Sequence, residues 1–272
     1  MSVAAGLSCR LACALALAAL AACSTQTQTT QRSAAADTTE GTPQPAESSA
    51  RKRAEARLEL AVGYYSRRQY QVALEELNTA AQADPGYSAI YNARGLIYMD
   101  LGDKGLAEDN FQRGLRLAPT DSETNNNYGW FLCQNGRAKE SIAYFQAAIK
   151  NPLYSTPDVP LRNAGLCSAL GGNLTDALDY LQRSFRINPS NAVTMYNLAD
   201  VLFRTGELER AHFYSRRLNS EREPTAQTLW LQLRIDRQYG DRESEQLLAG
   251  RLRSRFPASR EAGLLNRGVY DE

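Results

Sequence analysis

The chain has 272 residues, of which 43% are hydrophobic and 22% are charged. Its 31 basic and 30 acidic residues leave a formal net charge of +1, so it lacks the basic excess typical of nucleic-acid-binding proteins. The single histidine, His212, lies outside any metalloprotease, serine-hydrolase or Cys-His motif. Composition and motifs therefore argue against an enzyme, a metal site, a cofactor and a small-molecule substrate.

The first predicted element is a secretion signal. An apolar run over residues 11–22 follows a short basic start and is shorter than the roughly 20 residues that a membrane-spanning helix needs. The run ends with Leu-Ala-Ala-Cys at residues 20–23, which resembles the bacterial lipobox, where the signal is removed and the cysteine thiol is acylated. We therefore expect residues 1–22 to be a cleaved lipoprotein signal peptide and Cys23 to carry the lipid; an ordinary signal peptide with an incidental cysteine is the alternative. By resemblance to bacterial lipoproteins, Ser24 favours sorting to the outer membrane, where the lipid would hold the protein at the periplasmic face.

Residues 23–53 are predicted to be the lipidated N-terminus and a flexible tether. From Ser24 to Ser49 the chain is rich in Thr, Gln, Ser, Ala and Pro and has almost no large apolar side chain. Such a segment cannot bury enough surface to fold. The basic residues at 51–53 either touch anionic lipid headgroups or begin the helical part in solvent, and the second interpretation is favoured.

A repeat of about 34 residues follows the tether. Four prolines recur at one place in the unit: Pro85, Pro119, Pro189 and Pro257. Their separations of 34, 70 and 68 residues correspond to one, two and two copies of the tetratricopeptide (TPR) unit, which consists of two antiparallel helices. The separation of 70 contains a unit closed early by Pro152 and then a two-residue insertion. We therefore predict an all-α fold, a right-handed superhelical solenoid of about six TPR repeats over residues 54–260, with a C-terminal tail at 261–272.

Glycines keep the same spacing at two places of the unit. The place where the two helices cross holds Gly95, Gly129 and Gly165. The end of the first helix holds Gly102, Gly136, Gly172, Gly206 and Gly240. Glycine costs a helix about 1 kcal/mol relative to alanine, so its recurrence indicates close helix packing at the first place and a left-handed turn at the second. Arrays of this kind usually bind protein partners, so the function is expected on the surface.

Two of the five cysteines fall on the first helices of neighbouring repeats. Cys133 lies in the third repeat and Cys167 in the fourth, so the two thiols come within plausible reach of each other. In the oxidising bacterial periplasm a disulfide between them is reasonable. Two buried free thiols that pack as small apolar groups are the alternative, and the sequence does not decide between the two.

The first helices of a TPR array line its concave side with places 2, 5, 9 and 12 of each unit, and here those places are unusually apolar. They hold Leu58, Val62 and Tyr65 in the first repeat, Asn92, Leu96 and Met99 in the second, and Asn126 and Trp130 in the third. Such a groove suits an amphipathic helix or an extended segment from a partner. In the competing account the next repeat covers Tyr65 and Trp130. No Lys/Arg-Asn clamp for a charged C-terminus is evident across adjacent repeats.

Three runs of residues are more specific than the repeat itself. They are Asn-Asn-Tyr-Gly-Trp-Phe-Leu-Cys at 126–133, Asn-Pro-Leu-Tyr at 151–154 and Asn-Ala-Gly-Leu-Cys at 163–167. These runs look like those of the PilF/PilW type IV pilus biogenesis lipoproteins, and the resemblance extends from about Ala54 to Tyr270.

The resemblance implies an outer-membrane lipoprotein with six TPR repeats, acting as a pilotin that helps the secretin pore localise and assemble. Its partners would be the type IV pilus secretin and, through the lipid anchor at Cys23, the membrane. On this interpretation the protein is a non-catalytic adaptor whose groove engages a secretin segment. The alternative keeps the fold and the anchor but makes the protein a periplasmic scaffold that recruits cell-wall hydrolases or other envelope complexes.

Overall fold

The computed structural model describes residues 46–270, and within this range it consists of thirteen helices without a strand. In chain order the helices are α1 (Ala46–Ser66), α2 (Tyr70–Ala83), α3 (Ser88–Leu101), α4 (Lys104–Leu117), α5 (Ser122–Gln134), α6 (Ala138–Ile149), α7 (Asp158–Leu170), α8 (Leu174–Ile187), α9 (Ala192–Arg204), α10 (Leu208–Glu221), α11 (Ala226–Tyr239), α12 (Arg242–Arg255) and α13 (Arg260–Arg267). The prediction of an all-helical TPR solenoid is confirmed.

The first twelve helices form six helical hairpins, one for each predicted repeat. The two helices of each hairpin pack against each other, and every odd-numbered helix from α1 to α9 also contacts the next odd-numbered helix. The first helices of neighbouring repeats therefore lie side by side as one layer.

Asp, Asn, Thr or Ser side chains cap the N-termini of several helices by accepting a hydrogen bond from a backbone N–H: Asp103, Asp121, Asn173, Asn191, Thr225, Asp241 and Ser259.

Close crossing of the two helices explains the first set of glycines. A Cβ atom added to Gly95 would lie 2.6 Å from Cδ1 of Phe111, and one added to Gly165 would lie 2.5 Å from Cγ of Leu181. Carbon atoms in contact prefer a separation of about 3.5–4.0 Å, so any side chain at these places would push the hairpin apart.

The second set of glycines ends the first helix of a repeat in the left-handed region, with φ between 78° and 96°. In the first repeat the corresponding turn is made by Arg68, with a φ of 59°. Because a side chain at positive φ crowds the backbone, the first repeat carries local strain that the other repeats avoid.

The helical region is longer at both ends than the sequence boundaries predicted. Helix α1 begins at Ala46, inside the predicted tether at 23–53, and the Arg51 side chain is ion-paired with Asp84 while its guanidinium lies 4.2 Å from the centre of the Tyr87 ring. The predicted tail at 261–272 contains most of α13, whose Ala262 is fully buried against α11 and α12. Both boundaries differ from the prediction because contacts with residues distant in sequence hold these ends: Arg51 contacts Asp84 and Tyr87, and α13 packs against α11 and α12.

The predicted signal peptide at 1–22, the lipidated Cys23 and the tether as far as residue 45 lie outside the described residues. The two-residue insertion lies in the connector at 150–157, between α6 and α7. There the amide of Leu153 donates to the Asn151 side chain at 3.0 Å.

Candidate functional site

A pocket between the first helices of the first two repeats contains five of the eight predicted groove residues. Its volume is about 250 Å³. The predicted residues that line it are Leu58, Val62, Tyr65, Asn92 and Leu96. The lining is completed by Ala61, Leu77, Ala89, Ala93, Ile97 and Glu123. We call this site the α1–α3 pocket.

Helical spacing explains why these side chains meet. Residues three or four positions apart lie on the same face of a helix, which places Leu58, Val62 and Tyr65 together on α1. The same rule places Asn92 and Leu96 together on α3. The floor of the pocket belongs to the core of the first repeat, whereas Val62 on its wall is 52% exposed. The α1–α3 pocket is therefore an apolar surface open to a partner.

Tyr65 links the two helices at the edge of the pocket. Its hydroxyl donates a hydrogen bond to Oδ2 of Asp100, at the end of α3, over 2.9 Å. Burial, and after it the hydrogen bond to Asp100, raises the pKa of Tyr65 above its ordinary value, so the hydroxyl remains a donor at neutral pH. The ring is half-buried and packs against the core of the first repeat. The hydroxyl is thus occupied by Asp100 while Tyr65 lines the pocket.

Met99 and Trp130 do not line this pocket. Met99 packs against the core around Phe111 and Phe131, in the second and third repeats. Trp130 is half-buried against the core that contains Cys133 and Leu161. Their side chains help to hold neighbouring repeats together, as the competing account proposed for Trp130.

Asn126, the last predicted groove residue, belongs to a row of asparagine side chains. Its Oδ1 accepts a hydrogen bond from Nδ2 of Asn163 at 3.0 Å, and its Nδ2 donates to Oδ1 of Asn127 at 3.2 Å. Nδ2 of Asn127 in turn donates to Oδ1 of Asn92, at 3.1 Å. Asn127 and Asn163 were not among the predicted groove residues, although asparagine recurs near the same place in three successive first helices. We call these four side chains the amide chain.

Cys133 and Cys167 form a disulfide, with their Cα atoms 5.9 Å apart. The bond connects α5 to α7, and both residues are buried. Of the two arrangements that the sequence left open, the structure has the disulfide. It joins the two repeats on either side of the connector that interrupts the period.

His212 belongs to a polar cluster around the buried Asp236 in the last two repeats. Its Nδ1 lies 2.8 Å from Oδ1 of the fully buried Asp236, and the hydroxyl of Ser244 donates to the other carboxylate oxygen at 2.6 Å. The His212 ring also stacks on Tyr239, with a centroid distance of 4.4 Å. These contacts connect α10, α11 and α12. His212 therefore helps to pack the last two repeats together.

The described residues form neither a metal site nor a membrane-spanning helix. Between residues 46 and 270, no group of three or more His, Cys, Asp or Glu side chains could hold a metal ion. In the same part of the chain, no helix has both the length and the apolar character that a membrane span requires.

The chain is similar in sequence to a known protein family and to a known pilus assembly protein. Residues 58–223 match the tetratricopeptide repeat family. The type IV pilus assembly protein PilF of Pseudomonas aeruginosa is 25% identical over 207 residues, which cover 76% of this chain and 82% of that protein. The family match lies within the helical array.

Two solved structures have the same architecture. The crystal structure of PilW, described as a widely conserved type IV pilus biogenesis factor, aligns with a TM-score of 0.73 and 31% identity, covering 78% of this chain and 98% of that chain. A structure of Pseudomonas aeruginosa PilF aligns with a TM-score of 0.75 at 23% identity, over 81% of this chain and 99% of that one, and shows the common fold. The predicted resemblance is confirmed: the chain belongs to the tetratricopeptide repeat family and, within it, to the PilF/PilW group of type IV pilus biogenesis proteins.

Proposed function

We propose that this protein is an outer-membrane lipoprotein that acts in type IV pilus biogenesis by binding the secretin and promoting its outer-membrane localisation and multimer assembly. The observation that carries the proposal is the α1–α3 pocket, an open apolar site in a chain of the PilF/PilW group. A pilotin needs a surface that recognises one protein segment, and this pocket provides one.

The dimensions of the pocket favour a peptide side chain as its ligand. Pockets for cofactors and drug-sized molecules usually have volumes of about 300–1,000 Å³, whereas the α1–α3 pocket has about 250 Å³. Leu58, Val62 and Leu96 provide apolar walls that would lose water contact when a partner binds. One large apolar side chain is therefore the best match.

The lipid anchor is the second part of the proposal. Cys23 in the Leu-Ala-Ala-Cys run would carry the acyl chains, and Ser24 favours the outer membrane as the destination. More than one acyl chain gives stable anchoring, whereas a single chain binds only reversibly. Among the described helices, α1 is the nearest to this anchor in sequence, and it forms one wall of the pocket.

A complementation experiment tests the proposal. A strain that lacks the protein should contain fewer secretin multimers in its outer-membrane fraction and fewer surface pili. Restoring the wild-type gene should recover both, whereas Val62→Glu should not, because a carboxylate on the pocket wall blocks burial of an apolar side chain.

Val72 provides a matched control, because it is 37% exposed in the same repeat but lies on α2 and does not line the pocket. The Val72→Glu variant should restore secretin multimers fully. Normal multimers with Val62→Glu, or copurification of the wild-type protein with cell-wall hydrolases and without secretin, would contradict the proposal.

A further inference from the structure

Helix α1 has a second exposed face, on the side opposite the α1–α3 pocket. At 3.6 residues per turn, Gly63 lies about 140° round the helix from Leu58 of the pocket. The apolar Leu60 on this face is 48% exposed. The face borders a concavity of about 600 Å³ that is lined by residues of α1 and of the turn directly after it: Ala56, Glu59, Leu60, Gly63, Tyr64 and Arg67. We call these six residues the outer face of α1.

Gly63, at the middle of the outer face, is not explained by packing within the described chain. The place where the two helices of the first repeat cross belongs to Ala61, which is 34 residues before Gly95. A Cβ atom added to Gly63 would meet no atom within 4 Å. Glycine inside a helix is less stable than alanine, and proteins use it where another group approaches the backbone closely. The approaching group must therefore come from outside the array.

Two opposite charges lie symmetrically about Gly63. Glu59 is four residues before it and Arg67 is four residues after it, which places them about 6 Å from Gly63 along the helix axis in opposite directions. Both residues are exposed, and neither side chain forms an ion pair or a hydrogen bond with any residue between 46 and 270. A second α1 that crosses the first in the antiparallel direction at Gly63 would place Glu59 of each copy opposite Arg67 of the other. The outer face is thus complementary to itself, as a two-fold symmetric contact requires.

The charges also disfavour other arrangements of two α1 helices. A parallel pair would place Glu59 opposite Glu59 and Arg67 opposite Arg67. An antiparallel pair that crosses at Leu60 would place Arg53 of each copy opposite Arg67 of the other. Like charges opposite each other oppose association, so the crossing at Gly63 is the favoured one.

We propose that the outer face of α1 binds a second copy of this chain as an antiparallel helix pair, with Gly63 at the two-fold axis, Leu60 covered by the opposite helix, and Glu59 of each copy paired with Arg67 of the other. The contact extends over about two helical turns of each copy. Stable complexes bury about 1,200–2,000 Å², so a contact of this size gives a weak dimer. The α1–α3 pockets of both copies stay open because they lie on the opposite side of α1.

Cysteine crosslinking traps a weak dimer in one orientation. Packed helices have axes about 8–10 Å apart and Cα atoms about 2.3 Å from each axis, so facing Cα atoms at the crossing come within disulfide reach. Purified full-length Gly63→Cys, in detergent at submillimolar concentration, should form a covalent dimer on a non-reducing gel after oxidation with copper phenanthroline. The wild type has every other cysteine of the chain and sets the background. A dimer yield for Gly63→Cys no higher than this background would overturn the proposal.

Ala56→Cys is the matched control on the same face. It is seven residues from the crossing, so its two copies in the antiparallel pair would lie about 21 Å apart along the axis, too far for a disulfide. Dimer formation by Gly63→Cys alone is the expected result. Equal yields from the two variants would indicate a parallel pair or random collision and would overturn the proposal.

Charge reversal tests the pairing of Glu59 with Arg67. In the Gly63→Cys chain, Glu59→Arg or Arg67→Glu alone should slow crosslinking about five- to tenfold, because like charges then face each other twice in the dimer. The double variant Glu59→Arg/Arg67→Glu should recover the rate, because both ion pairs form again with reversed polarity. A double variant no faster than either single variant would overturn the proposal. No secretin is present in these measurements, so their outcome is independent of the proposed function.

Discussion

The disulfide between Cys133 and Cys167 connects the first helices of the third and fourth repeats, with Cα atoms 5.9 Å apart. The two cysteines are 34 residues apart in sequence. A bond that closes a loop of this length removes conformational entropy from the unfolded chain, and such bonds typically stabilise proteins by about 2–4 kcal/mol. The disulfide therefore reinforces the array at the connector where its period is interrupted.

The double variant Cys133→Ala/Cys167→Ala should lower the free energy of unfolding by about 2–4 kcal/mol, measured from the urea midpoint at constant slope. Dithiothreitol should lower the wild-type midpoint to a similar value and leave the double variant unaffected. If reduction did not change the wild-type midpoint, the disulfide would have no stabilising role.

The turn after α1 offers a stabilising substitution. Arg68→Gly should raise the free energy of unfolding by about 1 kcal/mol, because glycine adopts a positive φ without steric cost. Gly102→Ala makes the reverse change in the second repeat, where φ is 78° and an added Cβ would meet no atom within 4 Å. It should destabilise by a similar amount. Thermal melting of both variants measures the two effects, and a lower melting temperature for Arg68→Gly would disprove the strain.

The crossing of α7 and α8 should not tolerate a methyl group. Gly165→Ala places a Cβ 2.5 Å from Cγ of Leu181, which should cost about 1–3 kcal/mol of stability. Gly63→Ala in α1 is the control, because its Cβ would meet nothing within 4 Å. That variant should gain up to about 1 kcal/mol from helix propensity. Urea unfolding compares the free energy of unfolding of the two variants. If Gly165→Ala were as stable as Gly63→Ala, close packing against Leu181 would not be the reason for glycine at position 165.

The repeat and its packing could be predicted from the sequence because glycine and proline mark turns and helix crossings at a constant period. The two ends could not. Helix α1 begins among Ala, Glu and Ser residues that resemble a tether in composition, and from Ser49 to Arg53 none of its residues is buried. Helix α13 has eight residues, too few for a reliable periodic pattern. Contacts with distant residues hold both ends: Arg51 contacts Asp84 and Tyr87, and Ala262 is buried against α11 and α12.

The site could be predicted only in part for a similar reason. Periodicity indicates which side chains face the neighbouring first helix, but it does not tell an open pocket from contact between repeats. Val62 is consequently on an open wall, whereas Trp130 fills space beside the disulfide. The amide chain was missed because Asn127 and Asn163 lie one place beyond the four places that were assigned to the groove. Only the structure shows that they hydrogen-bond in a row with Asn126 and Asn92.

An ion pair between the second and third repeats should make stability depend on pH. Burial alone would raise the pKa of Glu108, but the bonds from Arg137 and Tyr128, both 2.7 Å long, outweigh it and lower the pKa below the ordinary 4.5. A carboxyl group with a lower pKa in the folded state stabilises the protein above its unfolded pKa, and this contribution disappears as the pH falls through the folded value.

Glu108→Gln should therefore destabilise the protein by about 0.5–1 kcal/mol at pH 7, and the difference from the wild type should shrink toward pH 3. Asp109→Asn, at an exposed position of the same helix, should have little effect at either pH. Urea unfolding at the two pH values provides the comparison. A difference for Glu108→Gln that is the same at pH 7 and pH 3 would refute the linkage.

Photo-crosslinking in living cells tests the central claim most directly. A photoreactive benzoylphenylalanine at position 62 lies on the wall of the α1–α3 pocket, and the same residue at position 72 lies on α2 outside it. We predict that position 62 crosslinks to the type IV pilus secretin and that position 72 does not. Crosslinks to the secretin from both positions, or from neither while the tagged protein restores pili, would contradict a pilotin that binds its partner through this pocket.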